Sequence, residues 1–110
     1  MTRIVMLKSA ELDFKELCHD FKARHGAPAC AAFRAAFKTL LTDLKQFPDS
    51  GAPVTEAAAV GMLIRQRICE QGRVVYHHEQ ASKTIYIRMF LPTQRNFLEH
   101  LTNRILRPGF

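Results

Sequence analysis

Apolar residues recur at intervals of three and four along the first half of this chain. A short apolar run rich in β-branched residues, Arg3 to Leu7, opens it and reads as a buried strand. Phe14, Leu17, Cys18 and Phe21 then fall at i, i+3, i+4 and i+7, one stripe of a helix. Ser9 stands where a cap belongs, Glu11 and Asp13 favour the positive end of a helix dipole, and Gly26 is a terminator, so the spacing predicts a helix over Ala10 to His25. Pro28 suits the first turn of a second helix, whose stripe of Cys30, Phe33, Phe37, Leu40, Leu44 and Phe47 ends at Pro48. Two amphipathic helices joined by so short a link make an antiparallel hairpin, with the phenylalanines packed on a sheet.

Pro48 to Gly61 reads as a loop, although its alanine run could form a helical turn. From Met62 the period changes to two. Ile64, Gln66 and Ile68 are expected on one face and Arg65 and Arg67 on the other, with a turn at Gln71-Gly72. Val74, Tyr76 and His78 then alternate with Arg73, Val75 and His77. Lys83 to Phe90 supplies a third strand, with Ile85, Ile87 and Met89 on one side and Tyr86, Arg88 and Phe90 on the other. Phe97, Leu98, Leu101 and Ile105 return to helical spacing, predicting a terminal helix. The chain is thus expected to be a single α+β domain over residues 1–110. Its N-terminal strand and α-helical hairpin pack on one face of a curved antiparallel sheet, and a C-terminal helix follows.

Charge changes this picture by marking the second half. Residues 1–60 carry eight Lys/Arg against seven Asp/Glu, whereas residues 61–110 carry eight against three, so nearly all of the formal +6 lies there. Seven of those eight cations are arginines: Arg65, Arg67, Arg73, Arg88, Arg95, Arg104 and Arg107. The planar guanidinium suits phosphate and carboxylate, so this half is the expected contact surface, on the sheet face that the helices leave open. The alternative is that Glu70, Glu79 or Glu56 pairs with these arginines in ordinary surface salt bridges.

Other chemistries find little support. Cys18, Cys30 and Cys69 lack metal-ligand spacing, are odd in number, and read as reduced thiols of a cytosolic protein. His77 and His78 are neighbours on a strand, so their side chains leave opposite faces and no metal site is expected. No glycine-rich phosphate loop, Gly-x-Ser-x-Gly motif, signal peptide or membrane-length apolar run is present, and no cofactor is expected. A cytoplasmic location follows as an expectation.

The opening strand with "SAELDFKEL", the helical hairpin ending "LKQFPDSG", the meander "MLIRQRICEQGRVVYHHEQASKTIYIRMF" and the "QRNF" corner before a terminal helix together resemble the RelE/ParE superfamily of type II toxin–antitoxin toxins. The likeness covers nearly the whole chain and is strongest to the ParE-like, plasmid-stabilisation branch. That branch implies a toxin that inhibits DNA gyrase and blocks replication, is not a nuclease, and is neutralised by a small DNA-binding antitoxin encoded beside it. Arg65, Arg67, Arg73, Arg88, Arg95, Arg104 and Arg107 would then meet antitoxin or target. The RelE-like alternative implies cleavage of mRNA on the ribosome. Arg65, Arg67, Arg73 and Arg95 would hold the phosphate, and His100 would replace the tyrosine that the RelE pattern places in a terminal helix. Tyr76 and Tyr86 lie within strands and read as structural. A third reading is a plain nucleic-acid-binding module with a basic sheet face.

Overall fold

The computed structural model describes residues 2–54, 63–93, 99, 103 and 104. Strand β1, Arg3–Met6, runs directly into helix α1, Lys8–His25, and α2, Ala27–Gln46, follows after one residue. A two-residue strand β2, Ala52–Pro53, lies inside the segment expected to be loop, and β3, Arg65–Cys69, β4, Gly72–Glu79, and β5, Thr84–Pro92, form the meander. Neither described helix is long and apolar enough to cross a membrane.

The helix ends show where local signals hold and where they yield. Gly26 sits at φ 89°, a left-handed conformation that suits glycine, and its N–H closes α1 on the Lys22 carbonyl at 2.9 Å. Ser9 is not the cap. Leu7 takes that place with no side-chain capping bond, because its N–H is still held by the Ile87 carbonyl of the sheet at 3.1 Å. Helix α1 therefore starts earlier than the sequence implies, and Ser9, inside its first turn, donates to the Arg88 carbonyl at 3.5 Å.

The sheet order is β1-β5-β4-β3-β2. It is mixed, not wholly antiparallel. The meander pairs antiparallel, but β1 adds to the far side of β5 in parallel, from Arg3 opposite Thr84 to Met6 opposite Ile87. Strand β1 is separated from β5 by the whole helical hairpin, and a long crossover of that kind permits a parallel neighbour.

The β3–β4 turn is formed by Glu70 and Gln71, with Glu70 at φ 55°, and Cys69 pairs with Gly72. Gly72 is thus a strand residue and not part of the turn. A Cβ there would lie 2.9 Å from the Phe33 ring, so helix packing is what requires glycine at this position. Pairing between β4 and β5 slips between Val75 and Tyr76, leaving Arg88 as the extra residue of a bulge. The slip moves Phe90 onto the helix-facing side, opposite Val74, and puts Met89 with Val75 on the other face, reversing the faces that strict alternation predicts for both residues.

The core is built on that exchange. Phe90 meets Phe14, Phe33 and Phe37 at ring-centroid separations of 5.2, 6.2 and 5.0 Å, and Phe14 stacks on Phe33 at 4.9 Å. Each such pair adds about 0.5–1.5 kcal/mol beyond its burial. Leu17, Leu40, Leu44, Val74, Tyr76, Ile85 and Ile87 complete the layer between helices and sheet. Of the expected terminal helix, Glu99, Asn103 and Arg104 are helical, whereas Arg95, His100, Arg107 and the "QRNF" corner lie outside the described residues.

Candidate functional site

The arginines do not share one face. Arg65 and Arg67 do project together, as residues two apart on a strand must, but toward the helices: Arg65 is paired with Tyr76 and Arg67 with Val74, both core residues. Strand β3 lies near the sheet edge, so these long side chains reach acids supplied by the end of α2 and the turn after it. Arg67 donates to Asp43, in an ion pair, and to the Ser50 hydroxyl at 3.2 Å. Arg65 donates to the Gly51 carbonyl at 2.9 Å and lies 3.6 Å from the Asp49 carboxylate. Among the described residues the partners of Arg65 and Arg67 are Asp49 and Asp43, not Glu70 or Glu79, and Glu56 lies outside the described residues.

Two further residues complete this clasp. His78 Nδ1 is 2.9 Å from Asp49, and the hydroxyl of buried Tyr76 accepts the Gly51 N–H at 2.9 Å. Burial pushes the Tyr76 phenol above its usual range, although the Gly51 N–H and the Arg65 charge oppose the rise. The residues from Asp49 to Gly51 are thereby tied to β3 and β4. This arrangement positions a turn, and it absorbs Arg65 and Arg67 into the fold.

Arg104 is similarly engaged. It pairs with Asp13 at 2.7 Å and donates to the Arg88 carbonyl at 3.4 Å, with side-chain exposures of only 13% for Arg104 and 18% for Asp13. The Phe90 N–H also donates to Asp13, at 3.3 Å. Burial nevertheless raises the Asp13 pKa, outweighing the Arg104 hydrogen bond and charge that lower it. Arg104 therefore ties the terminal segment to α1 and β5, a different role from the partner contact expected of it.

The face turned away from the helices carries a different set. Arg73 lies there with Gln66, to whose side-chain oxygen it donates, and four residues farther along β4, about 13 Å at strand spacing, stands His77. Val75 and Met89 separate them and are themselves fully buried. His77 stacks on Tyr86 of β5, with centroids 6.2 Å apart and planes at 19°. Burial, and then the Arg88 charge, lower the His77 pKa, so its imidazole is neutral at pH 7. Among the described residues its buried Nδ1 has no hydrogen-bond partner. Burial also lowers the pKa of Arg88, and Tyr86 opposes that shift.

His77, Tyr86 and Arg88 thus form a neutral imidazole, a phenol and a guanidinium on one patch, with Arg73 at its far end. The combination can accept a proton and hold an anion. His77 and His78 leave opposite faces, as their adjacency implies, and sequence alone offered His77 only as half of an improbable metal pair and Tyr86 as a structural strand residue. The available signal was alternation, which places Arg73, Val75 and His77 on one side of β4 and Tyr86 and Arg88 on one side of β5. Among the described residues no three His, Cys, Asp or Glu side chains gather as a metal site. An open groove between α2 and β3, lined in part by Thr39, Asp43, Gln46, Arg67 and Glu70, is the other concave feature near the arginines. Compared with known proteins, the chain matches no family model and no curated sequence.

Proposed function

We propose that this chain is a ParE-like toxin of a type II toxin–antitoxin module, acting in the cytoplasm on DNA gyrase to block replication and neutralised by a small cognate antitoxin. The observation that carries the reading is the chain order: a strand, a tight helical hairpin and an arginine-bearing meander, with the hairpin on one sheet face and Arg73 and Arg88 on the other. The α+β class and this element order are compatible with the superfamily that the sequence resembles. A formal charge of +6 favours approach to an acidic antitoxin tail or to a gyrase–DNA complex. The α2–β3 groove, lined by polar side chains and by the exposed Ile68, offers a lodging for an antitoxin segment.

The RelE-like alternative, a ribosome-dependent mRNA endoribonuclease, is favoured by one specific observation, the His77–Tyr86–Arg88 patch. In that reading neutral His77 takes the proton from an attacking 2′-hydroxyl, and Arg88, with Arg73, stabilises charge growing on the phosphate. Arg65 and Arg67, also expected in that phosphate-holding set, are engaged in the clasp.

Inducible expression in bacteria, scoring DNA-damage (SOS) induction, filamentation and mRNA integrity together, tests both. SOS induction with intact messages is expected, and it should weaken on charge reversal at Arg73 with no loss of fold. Rapid message cleavage that His77→Gln abolishes would replace the gyrase reading with the nuclease one. Normal growth combined with strongly salt-dependent binding to DNA or RNA would favour the plain nucleic-acid module and overturn both toxin readings.

A further inference from the structure

We propose that the closed end of the helical hairpin holds a binding site for a compact planar aromatic molecule, of the indole or phenol class, that carries one N–H or O–H donor. Where α1 ends, α2 begins and the β3–β4 turn passes, the packing leaves a cavity of about 140 Å³. Phe21 and Phe33 supply aromatic walls. Ala29 and Ala32, one turn apart on α2, line another side, and their methyl groups leave unfilled the space that larger side chains would take. An apolar cavity of about 150 Å³ accommodates a benzene-sized molecule, so this one suits a single small ring system.

The walls are fixed without a ligand. Phe33 meets Phe21 edge-on at 5.1 Å, stacks on Phe14 at 4.9 Å, and lies so close to the Gly72 backbone that a Cβ there would be 2.9 Å from its ring. The turn is held from its other side, because the Gln71 carbonyl accepts the Thr93 N–H at 3.0 Å and the Thr93 hydroxyl at 3.2 Å. Neither Phe33 nor the turn can close the gap without breaking these contacts, so the cavity is largely preformed.

The rim supplies the polar end. His25, Glu70 and Gln71 are exposed and line the mouth. Glu70 is held in the turn at φ 55° and makes no salt bridge among the described residues, so its carboxylate is available to accept a ligand's donor. Phenyl walls and one charge-assisted hydrogen bond at the mouth together specify a flat ring with a single donor. An aliphatic ligand forgoes the ring contacts, and an aromatic carboxylate meets the like charge of Glu70. The cavity lies on the helix side of the sheet, away from Arg73, and stands apart from the gyrase and nuclease readings.

The test is titration of the full chain with indole. The chain contains no tryptophan, so fluorescence excited beyond the tyrosine band reports the ligand alone. A saturable blue shift is expected, with a Kd below about 1 mM, and the amide shifts in a proton–nitrogen correlation spectrum should centre on Ala29, Ala32 and Gln71. Ala32→Leu, at an exposed helix position that tolerates leucine, fills the cavity and should weaken binding at least about tenfold. N-methylindole, which lacks the donor, should bind several-fold more weakly than indole, and Glu70→Gln should narrow that difference. Absence of saturable binding, amide shifts centred elsewhere, or an affinity unchanged in a natively folded Ala32→Leu variant would overturn the proposal, and the wild-type spectrum decides this even if the variant fails to fold.

Discussion

Tyr76→Phe removes a single hydroxyl from the interior, and the clasp specifies what that should cost. The hydroxyl accepts the N–H of Gly51 at 2.9 Å, where Tyr76 has no exposure and Gly51 is buried. Phenylalanine fills nearly the same volume, so no large cavity opens, but the Gly51 N–H is left buried without its acceptor. Such an orphan costs about 1–3 kcal/mol, against about 1 kcal/mol for the net worth of an ordinary hydrogen bond. The middle of that range applies to a neutral N–H buried at the start of a turn, and the expected loss is about 2 kcal/mol. With an unfolding entropy of about 2.1 cal/mol/K per residue, a chain of this length should melt about 9 °C lower. Urea denaturation followed by circular dichroism should show a lower midpoint at unchanged slope. A companion variant strengthens the reasoning. A Cβ on Gly51 would lie 2.7 Å from the Tyr76 oxygen and 2.8 Å from both Tyr76 Cε1 and the Gln66 carbonyl. Gly51→Ala should therefore cost about 1–3 kcal/mol by overpacking. It should cost less in the Tyr76→Phe background, where the nearest of those atoms is gone and the N–H bond is already lost. A Tyr76→Phe loss below about 0.5 kcal/mol, within the range of neutral surface changes, would refute the account of the clasp.

Three further outcomes follow from the same contacts. Arg104→Ala leaves the largely buried Asp13 carboxylate without its cation and should cost roughly 3 kcal/mol in urea unfolding, with Asp13→Asn in that background restoring part of the loss. Because burial raises the Asp13 pKa, the native state holds that proton more tightly than the unfolded chain. Its contribution is complete below 3.8 and is lost as pH rises through the higher folded value, so Asp13→Asn should flatten the stability profile in that window. His77 acts with the opposite sense. Its lowered pKa gives a contribution present above 6.5 and lost as pH falls through the folded value, so His77→Gln should reduce the acid-side slope, and an unchanged slope would place His77 in free solvent.

The helices were legible in the residues because a helical period is a local property. Phe14, Leu17, Cys18 and Phe21, and then Phe33, Phe37, Leu40 and Leu44, sit on the stripes that the structure buries or half-buries. The cap at Ser9 failed for a non-local reason, since the sheet still holds the Leu7 N–H and starts the helix early. Alternation likewise paired Arg65 with Arg67 and parted His77 from His78, but it could not say which face met the helices. That depended on where β3 pairs, on the nearness of Asp43 and Asp49, and, for Phe90 and Met89, on one extra residue at Arg88 that reverses the phase of a strand.

The candidate site divides along the same line. Composition alone located the excess of arginine in the second half of the chain. Only packing distinguished the roles: Arg65 and Arg67 hold a turn, Arg104 joins a buried acid on α1, and Arg73 and Arg88 remain on the face away from the helices. His77 and Tyr86 come from separate elements, so no spacing along the chain could announce their stacking. Hydrophobic period is written in each segment because solvent acts on every residue where it stands. Charge pairing and side-chain clusters are set between segments, and they exist only once register, bulge and helix packing have chosen which residues meet.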